Sequence, residues 1–185
     1  MPSVSTELEL ENLLAEPSGA DRAALAAMRG DLLILGAGGK MGPSLARRAR
    51  RAAGPKTRII AAARFTNRAL PRELNEEGIE TIAADLLDRK QVDALPDTEN
   101  VIFMAGRKFG STENQPLTWA VNTWTAGLVA ERFAKSRIVA FSTGNVYPFE
   151  RVDSGGATEA TPAAPVGEYA QSALAREREI GRAHV

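Results

Sequence analysis

The chain has 185 residues, of which 44% are hydrophobic and 5% aromatic, a composition that allows one domain with an apolar core. Its 23 basic and 23 acidic residues cancel, so no charge surplus favours binding to nucleic acid. The absence of cysteine excludes disulfides, thiolate catalysis and most zinc sites, and no apolar run approaches the ~20 residues that cross a membrane, so we expect a cytoplasmic protein without bound metal.

Residues 1–30 are predicted to form a helical extension. Four leucines within residues 8–14 indicate a first short helix, which ends at "EPSG". A second helix is predicted over residues 22–28, and Gly30 ends it. No basic segment followed by an apolar one is present here, so this is not a signal peptide. We expect the extension to pack on the domain that follows.

From residue 31 onward, short apolar runs alternate with helical segments. The predicted strands are "LLIL" (32–35), "RIIAAA" (58–63), "IETIAA" (79–84), "NVIFMA" (100–105) and "RIVAFS" (137–142). Their continuous apolarity is typical of strands buried on both faces of a parallel sheet. Five repeats of strand and helix therefore predict an α/β fold with a doubly wound parallel sheet.

A glycine-rich turn, "GAGGKMG", directly follows the first strand and precedes a helix that begins near Met41. Gly36 and Gly39 can adopt positive φ, and the missing side chains let backbone amides approach a pyrophosphate. The positive end of the helix dipole points at the same place. The alternative is a tight turn without a ligand. The position between strand and helix favours a phosphate cradle in a Rossmann-like domain.

A long helix is predicted between the fourth and fifth strands, over residues 115–136. Its apolar residues recur on one helical face, which we expect to pack against the core. These residues are Leu117, Ala120, Val121, Trp124 and Leu128.

The spacing Gly36-x-x-Gly39-x-x-Gly42 resembles the fingerprint of the extended short-chain dehydrogenase/reductases, the NAD-dependent epimerase/dehydratase family. The resemblance covers residues 31–178 and implies a dinucleotide-binding Rossmann domain. It assigns cofactor contacts to Gly36, Gly38, Gly39, Lys40, Met41 and Gly42 in the turn, Asp85 and Leu86 in "ADLLD", and Met104, Ala105 and Gly106 in "VIFMAG".

Two further segments resemble the catalytic part of the family. "FSTGNVYP" is similar to the family's "SS-x-x-VYG", which makes Thr143 the catalytic hydroxyl residue. "GEYAQSALARE" is similar to its "Y-x-x-x-K…E" segment, which makes Tyr169 the catalytic tyrosine and Glu177 the helix glutamate. Asn122 matches a helix asparagine that is frequent in the family, and a buried structural amide would leave the same pattern.

The lysine of that motif is missing, because Ala173 stands at its position. A free phenol titrates near pH ~10 and needs a neighbouring cation to transfer protons near neutrality. Three explanations are open. In the first, Arg107 or Lys108, after the fourth strand, replaces the lysine; the alternative for these two residues is an ordinary solvated loop charge. In the second, the protein binds dinucleotide without catalysing hydride transfer. In the third, position 173 is a sequence error.

The end of the second strand bears on the choice of cofactor. An acidic residue there would bind the ribose hydroxyls of NAD, whereas this strand ends with Ala63 and Arg64. Arginine can pair with a 2′-phosphate, which favours NADP over NAD by a small margin. The alternative is an arginine that only covers the adenine.

The family normally continues well beyond the tyrosine helix, so the sheet is expected to be incomplete at the C-terminus. The last seven residues, "EIGRAHV", are encoded by a common sequencing adapter in one reading frame. We therefore expect residues 179–185 to be a non-native tail, in which His184 has no role.

The resemblance implies an NAD(P)-dependent epimerase, dehydratase or reductase acting on a sugar or nucleotide-sugar, represented by its cofactor-binding part. Gly144 and Asn145 stand where the dehydratases often carry acidic residues, which favours epimerisation or simple redox chemistry. The alternative is an inactive dinucleotide-binding regulator or scaffold, which Ala173 favours. Family members often dimerise through the helices at residues 115–136 and from residue 167, although a helix covering its own core would look similar.

Overall fold

The computed structural model describes residues 4–182 and contains a five-stranded parallel sheet with the order β3-β2-β1-β4-β5. The strands are β1 (Leu32–Leu35), β2 (Ile59–Ala63), β3 (Glu80–Ala83), β4 (Asn100–Phe103) and β5 (Arg137–Ala140). The helices are α1 (Glu7–Leu14), α2 (Gly19–Ala27), α3 (Gly42–Ala52), α4 (Leu70–Glu76), α5 (Arg89–Asp93), α6 (Gln115–Trp119), α7 (Thr125–Arg132) and α8 (Glu168–Arg182). The predicted doubly wound α/β fold is confirmed.

Alternate residues of the central strand β1 point into two separate cores. Leu33 and Leu35 pack with Phe103 on the face covered by α5, α7 and α8. Leu32 and Ile34 pack on the opposite face, which α3 and α4 cover. This burial of both faces explains the unbroken apolar sequence of β1 and β2.

The outer strands β3 and β5 differ from the prediction of strands buried on both faces. Neither contains a fully buried residue, and Val139 in β5 is 62% exposed. Within the described residues, both strands lie at sheet edges and pair with a neighbour on one side only. The short apolar runs therefore identified the strands correctly, but they did not show which strands lie at the edges of the sheet.

The second helix begins earlier than predicted, at Gly19 rather than at residue 22. Ser18 and Asp21 form a reciprocal capping box that stabilises this earlier start. Helices α1 and α2 lie against α3, where Arg48 forms an ion pair with Asp21 at 2.6 Å.

The long helix is interrupted by a π turn, Ala120–Trp124, between α6 and α7. A π turn accommodates one extra residue and rotates the following helical face. Trp124, predicted to pack in the core, is consequently 54% exposed, which corrects that prediction. Thr118, Asn122 and Thr125 are buried instead.

Helix α8 extends into the predicted tail, residues 179–185. Ile180 is 7% exposed and packs in the core with α7. His184 lies outside the described residues. No helix within residues 4–182 is sufficiently long and apolar to cross a membrane.

Candidate functional site

A cleft opens at the carboxyl ends of the strands, where the chain leaves β1 for one side of the sheet and β4 for the other. In open α/β sheets this reversal of strand order is where ligands bind. The cleft is lined by the loops that follow the first four strands and by two residues of the long helix. These are Gly36, Gly38, Gly39, Ala63, Arg64, Phe65, Thr66, Ala84, Asp85, Leu86, Leu87, Met104, Ala105, Gly106, Val121 and Thr125.

Two positions of the glycine turn, Gly36 and Gly42, are sterically closed to side chains, whereas Gly39 has room for a Cβ and does not adopt the positive φ expected of it. Gly36 has φ +90°, and a Cβ there would lie 2.6 Å from the amide nitrogen of Ala105. A Cβ on Gly42 would lie 2.2 Å from the carbonyl oxygen of Ala37. Both distances are far below contact, so these positions require glycine.

Several amides of the turn remain available for a ligand. The amides of Gly39 and Gly42 donate within the turn, to the carbonyls of Gly36 and Gly39. Among residues 4–182, no acceptor is found for the amides of Gly38, Lys40 and Met41. These three precede α3, whose N-terminus adds a partial positive charge. The combination suits an anion such as a pyrophosphate.

The loop after β2 forms the apolar wall of the cleft. Phe65 adopts φ 46°, uncommon for a residue with a side chain, and is 8% exposed. Its ring lies near Gly38, where a Cβ would approach Phe65 Cδ1 to 3.6 Å. Arg64, just before it, is exposed and lines the same wall.

The loop after β3 holds Asp85 in a fixed orientation. Its carboxylate accepts a hydrogen bond from the amide of Leu87 at 3.0 Å, and its own amide donates to Gln91 Oε1 at 2.9 Å. The side chain therefore stabilises its own turn and places Leu86 and Leu87 on the cleft wall.

A polar cluster lies behind the Gly106 end of the cleft, centred on the fully buried Asn122. Its Oδ1 accepts from the amide of Arg107 at 2.7 Å and from Arg176 Nη2 at 2.9 Å. Its Nδ2 donates to the carbonyl of Arg107 at 3.0 Å and to Ser172 Oγ at 2.9 Å. Asn122 thus joins the end of β4 to α8, consistent with the structural alternative for this residue.

The predicted catalytic residues lie next to this cluster, on the β5 side. Thr143 follows β5, and its hydroxyl donates to Asn145 Oδ1 at 3.1 Å. Tyr169 is half-buried in the first turn of α8, which packs against the short 3₁₀ turn after Thr143. The Lys108 ammonium lies 5.9 Å from the centroid of the Tyr169 ring. Ala173, one turn along α8, is fully buried.

Nine of the predicted cofactor-binding residues line the cleft together. The exceptions are Lys40, Met41 and Gly42, which continue the turn into α3, while Thr143 and Tyr169 are not part of the cleft wall. Sequence reasoning missed Phe65, although its position directly after the second strand could have indicated it. It also missed Arg176, for which the sequence offers no signal, because a helical arginine is normally solvated.

No family model matches the chain, and a comparison with curated protein sequences finds no match. Solved structures do share its fold. UDP-glucuronic acid 4-epimerase from Bacillus cereus, in complex with NAD, is 21% identical with a TM-score of 0.68, and the match covers 83% of this chain and 52% of that one.

Two other epimerases match comparably. The UDP-Glc/GlcNAc 4-epimerase of Campylobacter jejuni is 21% identical with a TM-score of 0.69 over 83% of this chain and 48% of its own. The ADP-L-glycero-D-manno-heptose-6-epimerase of Helicobacter pylori is 19% identical with a TM-score of 0.69 over 83% and 51%. The chain therefore spans about half the length of these structures and shares their fold.

Proposed function

We propose that this chain binds a nicotinamide dinucleotide in the cleft and forms the cofactor-binding part of an NAD(P)-dependent epimerase/dehydratase-type oxidoreductase acting on a sugar or nucleotide-sugar. The observation that carries the proposal is the glycine turn, whose closed side-chain positions and free amides suit a pyrophosphate. The NAD-bound UDP-glucuronic acid 4-epimerase that shares the fold supports it. Residues 31–178 are the dinucleotide-binding unit, and residues 1–30 are an extension to it.

The cleft residues divide into three groups for holding the cofactor. The amides of Gly38, Lys40 and Met41 would bind the pyrophosphate at the start of α3. Phe65 and the loop at residues 84–87 would hold the adenosine. The remaining end, formed by residues 104–106, would hold the nicotinamide.

When bound, the nicotinamide supplies the group that accepts or donates a hydride. The protein residues have separate roles. Tyr169 Oη would exchange the proton with a substrate hydroxyl or carbonyl, and Thr143 Oγ1 would orient the same oxygen. The Lys108 ammonium near the Tyr169 ring supplies a positive charge on this side of the site.

Cofactor choice depends on the end of β2. Arg64 is exposed there, and no ion pair of its guanidinium is found within residues 4–182. We infer a small preference for NADP, because a free guanidinium can pair with the 2′-phosphate. Arg64→Ala should weaken NADPH binding more than NADH binding. Arg29→Ala, at the opposite end of the sheet, is the control, and equal losses for both cofactors would refute the preference.

Binding itself can be tested with a matched pair of variants by isothermal titration with NADH and NADPH. A Cβ on Gly39 would lie 3.4 Å from the Gly36 carbonyl, an ordinary contact, so Gly39→Asp should fold while placing a carboxylate in the cradle. Gly54→Asp adds the same charge where nothing lies within 4 Å. We expect Gly39→Asp to lose binding and Gly54→Asp to retain it. Equal binding by both would contradict the cradle.

A second candidate is a dinucleotide-binding regulator or scaffold without turnover. The fully buried Ala173 favours it, since no lysine follows Tyr169 by one helical turn. Cofactor binding without reduction across a panel of sugars and nucleotide-sugars would support this alternative. Reduction of NAD(P) by any of them would exclude it.

We also propose a homodimer formed through the long helix and α8. Trp124, exposed by the π turn, lies near Gly127 and Glu179 on the surface between α7 and α8. Trp119 is not proposed as a dimer contact, because its indole Nε1 donates a hydrogen bond to Glu168 Oε2 within the chain.

A further inference from the structure

A buried positive charge lies directly behind the cleft. The side chain of Arg176 is 5% exposed and extends from α8 to the π turn and to the carboxyl end of β5. Its Nη1 donates to the carbonyl of Phe141 at 2.9 Å, and its Nη2 donates to Asn122 Oδ1 at 2.9 Å. Its Nε donates to the backbone carbonyl of Asn122 at 3.4 Å. These bonds to three acceptors hold the guanidinium in one position.

Gly106 lies between this guanidinium and the cleft. Gly106 lines the cleft, and a Cβ added to it would lie 2.8 Å from Arg176 Nη2. Any larger residue at this position would displace the guanidinium. Because Gly106 has no side chain, the Arg176 guanidinium lies close to the end of the cleft that residues 104–106 form, and its positive potential acts there.

Neutral oxygens are the hydrogen-bond acceptors of this guanidinium within residues 4–182. The adjacent carboxylate, Glu177, accepts instead from Ser142 Oγ. Burial lowers the pKa of the Arg176 guanidinium, and the nearby Tyr169 and Glu177 oppose that change. A guanidinium stays protonated in proteins, so the cluster holds a buried positive charge that the nearby Glu177 carboxylate offsets only from a distance, without a hydrogen bond to the guanidinium within residues 4–182.

Lys108 is the other cation near Tyr169, but it is exposed and its ammonium is mobile on a long side chain. Water and salt weaken the electric field of an exposed charge, which is largely screened beyond about 10 Å. A buried charge is screened much less. Arg176 is therefore the stronger and better fixed source of positive potential at this end of the cleft.

We propose that Arg176 is a positioning residue that joins the π turn and the end of β5 to α8 and makes the Gly106 end of the cleft favour reduced over oxidised nicotinamide. The proposal rests on the function proposed above. It assigns the cation of this site to a helical residue one turn beyond Ala173.

The physical reason is that oxidised nicotinamide carries a positive charge on its ring and reduced nicotinamide does not. A fixed cation nearby repels the first and leaves the second unaffected. Coulomb's law allows roughly a tenfold change in relative affinity for unit charges about 10 Å apart in a medium of dielectric constant about 25. The measurable quantity is the ratio of the dissociation constants of NAD⁺ and NADH.

The experiment compares that ratio in the wild-type chain, Arg176→Gln, Arg176→Lys and Arg178→Gln by isothermal titration. Arg178 is the matched control, since it lies on the same helix but is exposed. We expect Arg176→Gln to shift the ratio about tenfold toward NAD⁺, while Arg176→Lys and Arg178→Gln stay within about twofold of wild type. A purely structural role would leave the ratio unchanged in all three.

Circular dichroism establishes whether Arg176→Gln folds. If it does not, Glu177→Gln provides the second test, because removing the carboxylate beside Arg176 strengthens the positive potential. The ratio should then shift toward NADH. An unchanged ratio in a folded Arg176→Gln, or in Glu177→Gln if the former does not fold, overturns the proposal. Failure of the wild-type chain to bind either nucleotide would instead refute the proposed function.

Discussion

Replacement of Asn122 by alanine should destabilise the chain by about 2 to 4 kcal/mol. The change removes the acceptor of the Arg107 amide, the donor to the Arg107 carbonyl and one of the acceptors of Arg176. Ser172 is less affected, since its hydroxyl still donates to the carbonyl of Tyr169 at 2.9 Å. A buried polar group left without a partner costs about 1 to 3 kcal/mol. Arg107 is only half-buried, so water relieves part of the loss.

Urea unfolding followed by tryptophan fluorescence measures this change, because Trp119 and Trp124 flank Asn122. Asn75→Ala is the control. Asn75 is exposed and donates one hydrogen bond, to Thr81 Oγ1 at 2.9 Å, so its loss should cost less than about 0.5 kcal/mol. A loss below about 1 kcal/mol for Asn122→Ala would refute the reasoning that this amide holds β4 and α8 together.

Three other predictions concern separate parts of the molecule. Gly36→Ala, at φ +90°, should lower the free energy of unfolding by about 2 kcal/mol or more and abolish dinucleotide binding. Gly144→Ala, where a Cβ has nothing within 4 Å, is the control and should change neither property. Urea unfolding measures the stability, and titration with NADH measures the binding. The hydrogen bond from Ser18 and the ion pair of α2 with α3 lower the pKa of Asp21 to about 2, so its contribution to stability is complete above the ordinary value of 3.8 and is lost as the pH falls toward 2. The difference in urea midpoint between wild type and Asp21→Asn should therefore be present at pH 6 and much smaller at pH 2, where the native carboxyl is about half protonated; a constant difference would contradict this. Analytical ultracentrifugation should find a dimer for the wild type and a monomer for Trp124→Glu, and a wild-type monomer would exclude the proposed dimer.

The fold could be predicted from the sequence because strand burial and helix periodicity are local patterns. The five apolar runs matched the five strands, and the glycine turn followed the first of them. Edge and central strands were not distinguished, since three of the four residues of "RIVA" in β5 are apolar, nearly as many as in "LLIL" of β1, and the order of the strands decides which of them lies at an edge. Strand order depends on long-range packing, which composition does not report.

The glycines of the turn were predictable from the sequence because they act through their own backbone. Gly36 and Gly42 were identifiable because a steric requirement leaves glycine as the single solution. Trp124 was wrongly predicted to lie on the buried face of the long helix, because no residue type in that segment indicates a π turn. Arg176 was missed because its partners come from two distant segments, the π turn and the end of β5, which meet it only after folding.

The central claim is that the glycine turn binds the pyrophosphate of a nicotinamide dinucleotide. The most direct measurement is titration of the ¹⁵N-labelled chain with NADH and NADPH while the backbone amides are followed by NMR. We predict large shifts for the amides of Gly38, Lys40 and Met41, with little change at Gly54 and Gly144. Saturating nucleotide without shifts in the turn, or with shifts confined to the opposite edge of the sheet, would contradict the account.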